Sequence, residues 1–235
     1  MPEFQGKTPI NRTLASLSQE DLDLLIPELN AVDLPLRKQM ESRNRRIEHV
    51  YFLERGIASV VAVGAAAGGV EIGIIGREGL TGLAVLMGSD RSPHETYMQL
   101  AGAGHRISAL SLRNAMHRSR SLQTRLLRVG YAFTIQTAQT ALANGRSKID
   151  ERLARWLLMA HDRVDSDELH LTHEFLALML GVRRPGVTVA LNMLEQDGMV
   201  QVRRGGITIT DRRGLEECAN GAYGTPETEL HRLMN

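Results

Sequence analysis

The sequence predicts an α+β chain in three parts: an antiparallel β-rich part, a long helix, and a winged helix-turn-helix at the C-terminal end. Three observations predict it. Glycines punctuate short apolar pieces from about Ile47 to Leu112, they almost stop after Leu112, and residues 171 to 210 read as helix, glycine turn, helix and hairpin.

Each part follows from local chemistry. Between residues 14 and 40, Ser18 is placed to cap a short helix carrying Leu22, Leu25 and Ile26, and Pro27 and Pro35 interrupt that segment. In the glycine-rich part, Val50 to Leu53, Ser59 to Val63 and Val70 to Ile75 are strand-sized. Val70, Ile72 and Ile74 alternate with Glu71, Gly73 and Ile75. Short strands with regular turn signals suit an antiparallel sandwich, jelly roll or barrel.

From Leu122 to about Asn144 the pattern is helical. One stripe runs through Leu122, Leu126, Val129 and Phe133, and a second through Leu127, Tyr131, Ile135, Ala138 and Leu142. One stripe suits the chain's own β part and the other a partner helix, which would make this a dimerisation helix. A helix buried in a monomer has the same period. Asn144-Gly145 reads as a stop. Ser147 then reads as a cap, with Asp150 at the third position, for a helix whose apolar face is Ile149, Leu153, Trp156, Leu157 and Ala160. After Ala219, Gly221, Gly224 and Pro226 suggest a loosely ordered tail.

Composition narrows the function classes. A chain of 235 residues with 43% hydrophobic and 23% charged residues is ordinary for a globular protein. Aromatics make up only 4%, which disfavours a stacking platform for single-stranded nucleic acid. Net charge is +1, and dividing the chain after Gly145 gives 16 Lys/Arg against 13 Asp/Glu, then 12 against 14. Any DNA footprint is therefore a local patch. The single Cys218 makes no intramolecular disulfide, no Cys₄ iron–sulfur site and no Cys-rich zinc site. No apolar run reaches membrane-span length, and the opening MPEFQGKTPINR lacks the pattern of a secretory leader, so a cytoplasmic protein is expected. No Gly-x-Ser-x-Gly elbow, phosphate loop or His-Glu-x-x-His motif is present, so no catalytic residue is assigned and no enzyme is expected.

Residues 171 to 210 carry the functional signal. Thr172 suits the N-cap of a helix through Leu180, with Phe175, Leu176 and Met179 at core spacing, and Gly181 ends it. A second helix runs from about Arg184 to Gln196, with Pro185 in its first turn and Val187, Ala190, Leu191 and Leu194 inward. That arrangement presents a helix sized for the major groove, and its first turns can reach base edges. Arg183 and Arg184 open it, and Thr188 and Asn192 follow on the side of Arg184. Residues Met199 to Val202 and Ile207 to Thr210 then form a hairpin tipped by Arg203 and Arg204. Six arginines stand between Phe175 and Arg213 against Glu195, Asp197 and Asp211, a local charge that suits phosphate.

These pieces together resemble the Crp/Fnr family of transcription regulators. The resemblance is carried by Tyr51-Phe52-Leu53-Glu54-Arg55-Gly56, by Glu151-Arg152-Leu153-Ala154-Arg155-Trp156-Leu157, and by Leu171-Thr172-His173-Glu174-Phe175-Leu176-Ala177. Gly181-Val182-Arg183-Arg184 and Asn192-Met193-Leu194-Glu195 complete it. The resemblance implies a cyclic-nucleotide-binding-like jelly-roll barrel over 1–118, a dimerisation helix over 119–145 and a winged helix-turn-helix over 146–235. It implies a homodimer on a two-fold symmetric DNA site, in contact with RNA polymerase and with no membrane. The DNA-binding residues would be Thr172, His173, Arg183, Arg184, Thr188, Asn192, Arg203 and Arg204, and the dimer helix would carry Leu122, Leu126, Val129 and Phe133.

Departures from the family pattern fall in the effector pocket. The family's Gly-Glu-Leu turn corresponds to Gly82-Leu83-Ala84, and Pro93-His94-Glu95 stand where Arg-Ser/Thr-Ala is expected. The ribose-binding carboxylate is absent, and Gly82, Leu83, Arg91 and His94 form a degenerate pocket for which cyclic AMP is not the expected ligand. No other cofactor or metal is evident: Cys218 excludes an iron–sulfur cluster, and none of the eight histidines is singled out for haem or metal. In the recognition helix Arg184 matches the family's arginine, while Pro185 and Val189 replace its glutamate and second arginine, so the operator should differ from the commonest one. The alternative is a cyclic-nucleotide- or other small-ligand-binding interaction protein without DNA function, against which the Arg-tipped hairpin argues.

Overall fold

A computed structural model describes residues 9–64 and 68–234; residues 1–8 of the opening read for a leader, and 65–67 of the glycine-rich stretch, lie outside it. The architecture is α+β, with an antiparallel sheet first, then a long helix and a helix-turn-helix region. Two compact units are built from the chain: one from Met1–Val60, Ile74–Thr134 and Leu230–Asn235, the other from Val61–Gly73 and Ile135–Glu229.

The chain opens with α1 (Arg12–Ala15) and α2 (Gln19–Leu25), followed by a 3₁₀ turn at Ile26–Glu28 containing Pro27. Ser18 caps α2 by accepting from the Asp21 N–H. Buried Asn11 caps α1 and also donates to the carbonyls of Leu53 and Gly79, 2.7 and 2.8 Å away. Strands β1 (Asn30–Leu34), β2 (Gln39–Glu41), β3 (His49–Val63), β4 (Gly69–Ile75) and β5 (His94–Ser108) form one sheet in the order β1-β5-β3-β4, with β2 also on β5. Both β1 and β2 pair antiparallel to β5.

The glycines were expected to cut this part into short pieces, yet β3 and β5 are each 15 residues long. Gly56 sits inside β3 at φ +83°, and a Cβ there would lie 2.6 Å from the Leu100 carbonyl oxygen. A Cβ on Gly102 would lie 1.9 Å from the Arg55 carbonyl oxygen. The glycines therefore permit close backbone approach at a bend instead of ending the strands.

Between β4 and β5 lies the short helix α3 (Leu83–Leu86), and α4 (Ala109–Arg118) follows β5. The first unit's apolar core includes Leu25, Phe52, Leu80, Ile107 and Leu112 with the first part of α5 (Arg120–Arg146). Gly145 does not stop α5, which runs to Arg146. The next helix, α6 (Ile149–His161), starts one residue later than expected: Lys148 is the N-cap, and Glu151 Oε2 accepts from its N–H at 2.9 Å, in place of Ser147 and Asp150. A longer carboxylate three residues in reaches back to the cap N–H, which favours this register.

The second unit continues with β6 (Glu168–Leu169), α7 (His173–Leu180), α8 (Arg184–Gln196), β7 (Val200–Arg203), β8 (Gly206–Ile209) and α9 (Arg212–Cys218). Strands β6, β8 and β7 form a three-stranded antiparallel sheet in that order. Residues Thr225–Met234, expected to be loosely ordered, form α10. Its apolar side is signalled by Leu230, Leu233 and Met234, and Arg125 on α5 donates to the Met234 carbonyl.

Candidate DNA interface

The helix-turn-helix is assembled from caps and a buried seam. Thr172 Oγ1 accepts from the Phe175 N–H at 3.2 Å and starts α7. Gly181, at φ +61°, ends it in the left-handed region that favours glycine. Arg152 on α6 donates to the Leu180 carbonyl, satisfying one acceptor at that helix end. Arg183 then stands as the N-cap of α8 with Pro185 in the first turn, where a missing N–H costs nothing.

Leu176, Met179 and Leu180 of α7 and Val187, Ala190, Leu191 and Leu194 of α8 are buried; Phe175 is half-buried. That burial fixes which side of α8 faces outward: Arg184, Pro185, Val189, Asn192, Met193 and Gln196 are exposed and Thr188 is half-exposed. His173 Nδ1 lies 3.1 Å from Thr188 Oγ1, and Thr188 Oγ1 lies 3.3 Å from the Arg184 carbonyl oxygen. A chain in which His173 Nδ1–H donates to Thr188 and Thr188 donates to Arg184 satisfies all three groups, and it ties α7 to the first turn of α8.

Behind α8, Gly198 at φ +76° turns the chain into β7, and Arg203 pairs with Gly206 across a two-residue tip of Arg204 and Gly205. Glu195 Oε1 accepts from the Val202 N–H at 2.7 Å, fastening the end of α8 to the hairpin. Arg203 donates to Gln201 Oε1 at 3.2 Å. Of the six arginines, Arg212 is bound to Asp162 and Glu216 and Arg213 to Glu217, so those two are engaged within the fold. Arg183, Arg184 and Arg204 are exposed, with no acidic partner among the described residues. The free positive charge lies on the start of α8 and the hairpin tip.

Sequence reasoning named Val189 only as the residue standing where the family has its second arginine, and gave Glu195, β6 and Met193 no role at this surface. Glu195 looked like a surface acid, and β6 is too short to show a period. Met193 could have been found, because it falls outside the Val187–Ala190–Leu191–Leu194 face.

The residues assigned to the effector pocket lie in the first unit. Gly82, at φ +72°, precedes α3, and Leu83 begins it. The Gly82 N–H donates to Glu41 Oε1 at 2.8 Å. Glu41 is almost fully buried, and burial pushes its carboxyl above the usual range, against the lowering effects of the Gly82 N–H and the Thr96 hydroxyl. Arg91 is exposed and bound to Asp90 at 3.0 Å. His94 is half-buried, and burial pushes its imidazole below its ordinary value. No hydrogen bond joins Gly82 or Leu83 to Arg91 or His94 among the described residues. No group of three His, Cys, Asp or Glu there is placed to hold a metal, and no described helix is long and apolar enough to cross a membrane.

On α5, Leu122, Leu126 and Val129 belong to the first unit's core and Phe133 is half-buried. The exposed side chains come from the other stripe: Leu127, Tyr131 and Leu142 are 40%, 54% and 56% exposed.

Residues 151–218 match the family model of the Crp-like helix-turn-helix domain. The chain carries a Crp-like helix-turn-helix domain. No curated protein matches the chain in sequence. Solved structures match its fold. FixK2 from Bradyrhizobium japonicum is 15% identical with a TM-score of 0.70, the match covering 81% of this chain and 96% of that one. A CRP-family transcriptional regulator from Thermus thermophilus is 17% identical with a TM-score of 0.67, covering 82% and 98%. The c-di-GMP-responsive global regulator CLP from Xanthomonas campestris is 16% identical with a TM-score of 0.64, covering 88% and 100%. The chain thus joins a Crp-like helix-turn-helix domain to a fold that it shares with these regulators.

Proposed function

We propose that the protein acts in the cytoplasm as a homodimer on a two-fold symmetric DNA site, without cyclic AMP and without enzymatic activity. The carrying observation is the exposed face of α8, opened by Arg183 and Arg184 and flanked by the Arg204 tip, three arginines without an acidic partner among the described residues. On this reading α8 enters the major groove. Arg184 and Asn192 face base edges, and Arg183, Arg203 and Arg204 contact phosphates. Thr172, His173 and Thr188 set the angle of α8 and line its rim.

The exposed stripe of α5, not the one through Leu126, serves as the dimer seam. Leu127, Tyr131 and Leu142 are large apolar groups left open to water along one helix. Two copies paired on that stripe would set two recognition helices about one DNA turn apart. Bound to such a site, the dimer would also meet RNA polymerase.

Two features support independence from cyclic AMP. The Gly82 N–H is engaged by the protein's own Glu41, and Arg91 is engaged by Asp90. The test is fluorescence-anisotropy titration against a library of palindromic duplexes, at low and physiological salt, with and without cyclic AMP. Selective binding that persists at physiological salt and ignores cyclic AMP is expected. Salt-fragile binding to every duplex alike would overturn the reading.

A further inference from the structure

We infer that α8 reads thymine through its methyl group, with Val189 and Met193 as the reading side chains. The inference rests on the DNA-binding reading above and adds the base that is read.

Val189 is 61% exposed and Met193 46% exposed, on a helix whose opposite face is closed by Val187, Ala190, Leu191 and Leu194. A lone exposed apolar residue needs no explanation. Here two stand four residues apart, so they are neighbours on one surface of the helix. At about 100° per residue, the direction opposite the buried face falls among Pro185, Val189, Asn192 and Gln196. Arg184 and Met193 lie toward opposite edges of that outward arc. Through the first turns of α8 the centre of the surface that meets DNA is thus apolar beside Asn192, with Gln196 following in the last turn, and the cation stands to one side.

Helix stability does not account for Val189. Valine is a mediocre helix former because its β-branch restricts χ1, and a charged residue would serve better at an exposed site. The same restriction makes Val189 a rigid probe. The Thr188 hydroxyl has its donor committed to the Arg184 carbonyl and lies 3.1 Å from His173 Nδ1, so it has little left to offer a base edge in its place. Among the major-groove edges, the apolar feature is the C5-methyl of thymine, and an amide such as Asn192 pairs bidentately with adenine. Val189, Met193 and Asn192 therefore match a run of A·T pairs, and Arg184 matches a guanine at its border.

The experiment first selects preferred palindromic duplexes, then replaces each thymine in the selected half-sites by deoxyuridine, which removes only the methyl. The wild-type protein is expected to select half-sites rich in A·T, and to lose about fourfold in affinity for each methyl that it buries. The double variant V189A/M193A, altered only at exposed positions, should lose most of that difference between thymine and deoxyuridine. Selected half-sites that bind equally with deoxyuridine, or that contain no thymine, overturn this inference and leave the DNA-binding reading standing. No preference among duplexes at any salt overturns that reading and this inference with it.

Discussion

The indole Nε1–H of Trp156 donates to Glu71 Oε1 across 2.6 Å, with both side chains buried. Trp156 is on α6, and Glu71 comes from the Val61–Gly73 segment that belongs to the same compact unit. Beside them, Arg155 donates to the Ala222 carbonyl and to Thr140 Oγ1, and Glu71 and Glu227 oppose the loss of its charge on burial. W156F would leave the Glu71 oxygen without this donor, at a cost of about 1–3 kcal/mol. Urea unfolding should show it. Because Trp156 is the single tryptophan, its emission reports the same contact: E71A should shift the spectrum of the folded protein, and E71Q, which keeps an amide oxygen, should shift it less.

Glu41 gives a pH signature whose sign follows from burial. Its carboxyl is raised in the folded protein, so the folded state holds the proton more tightly than the unfolded chain does. The stability linked to that proton is fully present below the ordinary carboxylate value and is lost as pH rises through the raised one. E41Q cannot ionise, yet its amide oxygen can still accept from Gly82. The variant should be more stable than wild type at pH 8, and the difference should shrink toward pH 4, as read from urea midpoints.

The two kinds of arginine should separate in binding data. R184A should lose discrimination at one base position by about 1–3 kcal/mol, roughly fivefold to 150-fold. R203A and R204A should weaken binding to all duplexes alike, and each should reduce the salt slope by about 1. Anisotropy titrations at three salt concentrations distinguish these outcomes.

The two stripes of α5 should also part company. L142E, at an exposed position, should give a folded monomer by light scattering after size-exclusion chromatography. L126A, at a fully buried position, should destabilise the fold by about 2–5 kcal/mol without removing the capacity to associate.

The helix-turn-helix was legible because its signals are local. Thr172, Gly181, Pro185 and the spacing of Val187, Ala190, Leu191 and Leu194 each act within a turn or two, and α8 runs from Arg184 to Gln196 as expected. The sheet was legible in kind but not in length, because Gly56 and Gly102 function through contacts with a distant strand. Which stripe of α5 is buried depends on the core around Phe52 and Leu112, which helix periodicity does not contain. Glu41 carried no local signal at all, since its partner Gly82 is 41 residues away.

The contact between Glu41 and Gly82 bears on how such a regulator would be governed. A sensor awaits a signal, and its output follows the concentration of that signal. Here the turn at Gly82 in the first unit is already satisfied by a carboxyl of the same polypeptide. On the proposed reading, occupancy of the operator would then follow the abundance of the protein itself, set by its synthesis and degradation. The monomer–dimer equilibrium would supply the threshold, so the decisive quantity would be copies per cell.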